Sequence, residues 1–242
     1  MLTLIGLFAS SALAAPETPV PPDTSSVSVN SREADARVDR GLLHATAETQ
    51  PKGTFTVSNY ELVLFQAGYS PTDWLQVSVT TLPPYFTTMV GFVDLSVKAN
   101  LLRTDRFRVA GIVGGDLAGT VDSAVGGAHG GVIGQVCLTE SCRGSVSLNT
   151  ELVWMTETED LGYHAGLPVQ IPVSKAVSVL LEPMVVGAAA SPTRESLGAF
   201  GYGVRIAGPS FGADLGMIKP IGSELGEIFL LGLPVVSVTF RG

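Results

Sequence analysis

The sequence predicts an all-β chain folded as an up-and-down antiparallel transmembrane β-barrel of about 12 strands, with ten as the alternative count. Three observations carry this. Short segments alternate apolar and polar residues with period two, tight polar turns alternate with longer loops, and a positive mean hydropathy coexists with only 15 % charged residues. Past the N-terminus no apolar run approaches the roughly 18 residues of a spanning helix, so the apolar residues must be spread over many strands.

Residues 1–14 read as a signal peptide. Leu2 to Ala9 form an apolar segment and Ala12-Leu13-Ala14 supplies a small-x-small cleavage pattern, although no Lys or Arg precedes it. Residues 15–40 are rich in Pro, Ser, Thr, Asp and Glu and lack periodicity; Pro16, Pro19, Pro21 and Pro22 block helix and strand alike, so a flexible periplasmic leader is expected. Residues 41–242 are assigned to the barrel.

The clearest strand has Val93, Leu95, Val97, Ala99 and Leu101 interleaved with Asp94, Ser96, Lys98 and Asn100. Successive strand side chains point to opposite faces, so one face is apolar and the other wet. Leu75-Val77-Val79, Val146-Leu148-Leu152-Trp154 and Phe200-Tyr202-Val204-Ile206 repeat the pattern. The expected strands are 41–48, 54–70, 74–82, 91–102, 106–118, 124–138, 142–156, 160–173, 176–189, 196–208, 210–219 and 226–240. Tight breaks fall at 70–73, 103–106, 139–142, 173–175 and 208–210, and looser ones at 82–88, 118–123, 156–160, 188–196 and 220–227. If the tight turns face the periplasm, both barrel termini do as well, as an even strand number requires.

Aromatic residues gather at both levels. Tyr69, Trp74, Phe107, Phe211 and Phe240 adjoin tight turns or the C-terminus, and Tyr85, Phe86, Trp154 and Tyr163 adjoin longer loops. Two interfacial girdles are the physical expectation for such rings. With its cleavable leader and a last strand carrying Val236, Val238 and Phe240, the chain resembles outer-membrane β-barrel proteins of two-membrane bacteria. The resemblance is architectural and identifies no particular family. It implies location in the bacterial cell outer membrane, contact with outer-membrane lipid, and recognition by the barrel-assembly machinery during insertion. Here Arg241 and Gly242 follow the terminal aromatic residue. Pro168, Pro172, Pro183 and Pro234 fall within expected strands and should mark bulges or strand ends; a secreted soluble β-protein, with free edges, is the competing reading.

Cys137 and Cys142 bracket a tight turn, and an oxidising compartment favours a disulfide between them. Neither has a histidine nearby, and no metal site or cofactor is expected. A net charge of −8 without a basic stripe argues against nucleic acid. No catalytic motif is present, and the chain is not expected to be an enzyme. Gly126, Gly127, Gly130 and Gly131 make room in the wall or lumen. Of His44, His129 and His164, only His164 suggests chemistry: it follows Glu157, Glu159 and Asp160, and a carboxylate–histidine pair there would suit a rim hydrolase.

Strand parity turns Asp94, Lys98, Arg108, Asp116, Glu151, Glu182, Arg205 and Asp214 inward, where charges must be solvated or paired. They either line a passive or weakly selective pore or brace a non-conducting structural or anchoring barrel as an internal ion-pair network. Solute and protein partners are not specified by the sequence. The two loop classes set a topology test: an epitope tag near Glu157 should be accessible on intact cells and one near Ser174 should not, whereas the reverse pattern would overturn the strand scheme.

Overall fold

The computed structural model describes residues 35–60, 64–82, 91–119, 124–156, 161–188, 196–222 and 231–242. The expectations for the signal peptide, for residues 15–34, and for Tyr85, Phe86, Glu157, Glu159 and Asp160 lie outside these residues. The strands are β1 (Phe55–Tyr60), β2 (Leu64–Thr72), β3 (Leu75–Leu82), β4 (Gly91–Arg103), β5 (Phe107–Gly119), β6 (Ala124–Cys137) and β7 (Ser145–Met155). They continue with β8 (Leu161–Gly166), β9 (Val169–Pro172), β10 (Val177–Ala188), β11 (Ser196–Ala207), β12 (Phe211–Ile221) and β13 (Leu233–Arg241).

All pairings among these strands are antiparallel. Strand β13 pairs with β1, from Thr56↔Arg241 to Tyr60↔Ser237, which closes the ring. Strands β8 and β9 lie end to end between β7 and β10. The thirteen segments therefore make a closed up-and-down barrel of 12 strands. Among the described residues no helix is long and apolar enough to cross a membrane.

The expected strand number is right, but two of its boundaries differ in compensating ways. Residues 41–48 form no strand, apart from a single bridge, Arg40↔Ala45. The expected strand 54–70 is instead a hairpin in which β1 and β2 pair from Phe55↔Tyr69 to Tyr60↔Leu64. No glycine or proline falls between Phe55 and Ala67 to mark the reversal of direction.

The prolines sit where the ladder allows them. Pro168 stands in the break between β8 and β9, and Pro172 ends β9. Pro183 on β10 faces the same break, since its neighbours Met184 and Leu181 pair with Gly166 and Val169. The Pro183 carbonyl accepts from Leu167 N–H at 2.9 Å. A strand residue's N and O point to the same side, so the missing Pro183 N–H also falls at the interruption. Pro234 is the second residue of β13.

The connections at residues 73–74, 104–106, 138–144, 173–176 and 208–210 share one end of the barrel with Phe55 and Gly242, which bond each other at 3.0 and 2.9 Å. This is called the turn end and the opposite rim the loop end. At the turn end Cys137 and Cys142 form a disulfide. Tyr69, Trp74, Phe107, Phe211 and Phe240 are all exposed there, with Phe211 and Phe240 rings 5.4 Å apart.

Alternation gives the wall its two faces. On β4, Val93 and Leu95 are exposed whereas Asp94, Ser96 and Lys98 are buried. On β5, Val113 and Leu117 are exposed and Arg108 is buried. A soluble β-protein has the opposite polarity; an apolar exterior around a polar interior is the arrangement of a membrane barrel.

The interior is filled at the turn end by the chain's own segment Asp35–Gln50. Every residue of it is buried except Val38, Leu43, His44 and Ala45. Residues 35–40, expected in a flexible leader, therefore belong to the packed barrel, and the first strand begins at Phe55 rather than at residue 41. Two small apolar clusters join this plug to the wall: Leu42 with Leu180, Val235 and Ile218, and Ala47 with Ala110, Ile133 and Ala45.

Val113 pairs with Val97 near the middle of two long strands and is 61 % exposed. Val113→Arg should destabilise the folded protein by roughly 2–4 kcal/mol in reconstituted vesicles, as for arginine on a lipid face near the midplane. Reversible denaturant unfolding would measure this; an unchanged midpoint would contradict a lipid-facing Val113.

Candidate functional site

The plug turns back on itself at its tip, where Gly41 N–H donates to the His44 carbonyl at 2.7 Å. A tip without helix or sheet leaves its backbone groups to be satisfied by side chains. Glu182, buried on β10, accepts from the backbone N–H of Leu42, Leu43 and His44 at 2.7, 3.1 and 2.9 Å. It also lies 2.6 Å from His44 Nδ1. One wall carboxylate thus gathers three convergent backbone donors and an imidazole.

Arg205 on β11 performs the complementary task. Fully buried, it donates to the carbonyls of Arg37 and Arg40 at 3.0 Å each and of Gly41 at 2.8 Å. Asp214, its register partner on β12, accepts from Nε at 2.8 Å and Nη2 at 2.9 Å. Asp214 also pairs with Arg37 at 3.0 Å, and Arg37 donates to Thr239 Oγ1 at 2.8 Å. A carboxylate between two guanidinium groups keeps the fully buried charges paired.

Across the lumen, Lys98 on β4 donates to the carbonyls of Asp39 and Thr46 at 3.0 and 3.2 Å, and Asn100 donates to Ala47 at 3.0 Å. Gln76 on β3 donates to Asp39 at 2.7 Å and accepts from Gln50 N–H at 3.2 Å. Arg108 pairs with Glu48. Burial acts to raise the Asp39 carboxyl, but Arg40 and Lys98 outweigh it and hold it well below the usual carboxylate range.

Glycines shape the seat. A Cβ at Gly212 would come within 2.8 Å of Arg37, and one at Gly216 within 3.2 Å of Leu42. At Gly166 a Cβ would meet the His44 ring at 2.5 Å.

Of the eight expected inward charges, Lys98, Arg108, Glu182, Arg205 and Asp214 are buried against the plug. The other three gather nearer the loop end. Asp94 and Asp116 are register partners on β4 and β5, Asp94 buried and Asp116 half-buried. Between them and Glu151 of β7 stands His129 of β6, with Nε2 2.9 Å from Asp94 and Nδ1 3.1 Å from Glu151. His164 of β8 lies 3.5 Å from Glu151; the rim carboxylates expected beside it lie outside the described residues. Thr80, Phe92 and Val153 complete a cavity of about 230 Å³ around this group. Ligand atoms of Asp94, Asp116 and His129 lie within 4.8 Å of one another, a grouping not expected from the sequence.

A second cavity, of about 450 Å³, lies between the plug and β2–β5, lined by Leu43, Gln66, Ser78, Ser96 and Lys98 among others. Sequence reasoning missed the plug partners Arg37, Asp39, Glu48 and Gln50. Their signal was a charged stretch just ahead of the first strand that holds no proline between Pro22 and Pro51.

A closed antiparallel barrel, apolar outside and polar within, has the architecture of outer-membrane β-barrel proteins and no more specific assignment. No protein-family model matches the chain. No curated protein sequence matches it either. Among solved structures it is similar to the KdgM porin, at 7 % identity over 78 % of this chain and 96 % of that one, TM-score 0.49. It is similar to the NanC porin at 8 % identity over 78 % and 97 %, TM-score 0.47. LpxR from Salmonella typhimurium aligns at 10 % identity over 78 % and 99 %, TM-score 0.45.

Removing the Arg205 side chain takes this donor from three plug carbonyls and leaves Asp214 with only one of its two guanidinium partners, Arg37. Arg205→Ala should cost about 3–5 kcal/mol, the usual penalty for breaking a buried ion pair from one side. It should also expose Arg37 and Arg40 to trypsin in otherwise folded protein. A plug equally resistant in the variant would show that Arg205 does not hold it.

Proposed function

We propose that this chain is an outer-membrane barrel closed to free diffusion by its own N-terminal segment, a non-conducting structural or anchoring barrel rather than an open pore. The observation that carries this reading is the burial of Asp35–Gln50 in the turn-end lumen, where wall charges bind its backbone. Charges lining an open conduit would be hydrated; these are spent on the plug.

The anchoring role follows from where the plug begins. Ala36 N–H donates to the Gly208 carbonyl at 3.0 Å, and Arg241 donates to the Asp35 carbonyl at 3.2 Å. Asp35 is therefore held at the turn end, and the preceding chain joins there. With tight turns on the periplasmic side, that chain is placed to hold a periplasmic partner while the exterior is fixed in outer-membrane lipid. Insertion would use the barrel-assembly machinery that reads β13.

The cavity of about 450 Å³ beside the plug favours a second reading, a pore that conducts when the plug shifts. Planar-bilayer recording separates the two. Full-length protein should give no discrete conductance steps, and deletion of residues 35–50 should produce them. Steady steps from the intact protein would overturn the closed-barrel reading.

A further inference from the structure

We propose that Asp94, Asp116 and His129 form a binding site for a divalent first-row transition ion in the loop-end half of the lumen. This goes beyond the closed-barrel reading and does not depend on it.

The donors come from three adjacent strands and are of two kinds. Asp94 and Asp116 are directly opposed on β4 and β5, a placement in which like charges repel unless a cation lies between them. His129 Nε2 points to the same place, 2.9 Å from Asp94 Oδ2, and the three ligand atoms fall within 4.8 Å of one another. In this arrangement a proton bridges Nε2 and the carboxylate; a metal ion entering there replaces it.

The other nitrogen of His129 lies 3.1 Å from Glu151. A histidine whose second N–H is held by a carboxylate is the usual setting of a metal ligand, because that bond fixes the tautomer and raises the basicity of the ligating nitrogen. His164 in turn lies 3.5 Å from Glu151. Among the described residues no Lys or Arg lines the surrounding cavity.

The wall is cut to fit this group. A Cβ at Gly114 would collide with His129 Nε2, and one at Gly131 would collide with Glu151. Glycines on β5 and β6 therefore keep space for His129 and for the Glu151 carboxylate that holds its second nitrogen.

One imidazole and two carboxylates suit Zn²⁺ or Mn²⁺, and they leave coordination positions for water. Full-length protein, refolded in detergent and stripped of metal with a chelator, would be titrated calorimetrically with ZnCl₂. We expect one saturable site per chain, lost in His129→Gln and in Asp116→Asn and weakened about 10–100-fold in Glu151→Gln. Heat-modifiable migration on gels would establish that each variant is folded. If a variant does not fold, the wild type decides alone: electron spin-echo modulation of bound Mn²⁺ should report a directly coordinated imidazole nitrogen. Absence of saturable binding, retention of the site in folded His129→Gln, or bound Mn²⁺ without nitrogen coupling would each overturn the proposal.

Discussion

A polypeptide that enters a barrel lumen without forming helix or sheet brings N–H and C=O groups that need partners away from bulk water. In this protein the wall supplies them. Glu182 meets the donors of the plug tip, Arg205 and Lys98 meet its carbonyls, and Asp214 balances Arg205 and Arg37. The dependence runs both ways, since buried wall charges without the plug would need other partners. Most of the interior follows from this constraint, including the glycines at 201, 212 and 216 that let Leu42 and Arg37 approach the wall.

The interruption between β8 and β9 belongs to the same design. It lies beside the plug tip: a Cβ on Gly41 would meet Pro168 at 2.6 Å, and Gly166 lies under His44. Pro168 and Pro183 occupy a stretch where the ladder lapses, and Glu182, adjoining Pro183, reaches into the tip. The strand break thus costs few hydrogen bonds and shapes the seat. The lumen is divided along its axis into a packed turn end and a carboxylate–histidine group toward the loop end.

Much of the wall was legible in the sequence. Alternation around Asp94, Ser96 and Lys98 sets which face is apolar, and the eight inward charges follow from parity alone. The plug was not legible, for a physical reason. Residues 41–48 carry enough apolar side chains to imitate a short strand, yet Leu42 packs inside the barrel and Ala47 against Ala110 and Ile133. The β1–β2 hairpin escaped because no glycine or proline lies between Phe55 and Ala67 to signal a turn, and the two errors cancel in the strand number. The pairing of His129 with Asp94 and Glu151 depends on strand register, which periodicity does not fix.

The central claim is that residues 36–50 are packed inside the barrel by hydrogen bonds to the wall, and backbone hydrogen exchange in reconstituted protein tests it most directly. The amides of Leu42, Leu43 and His44, held by Glu182, should exchange as slowly as those of neighbouring β10 and β11, and should accelerate in Glu182→Gln. Exchange of these three amides at the rate of an unstructured chain in the intact protein would contradict the account.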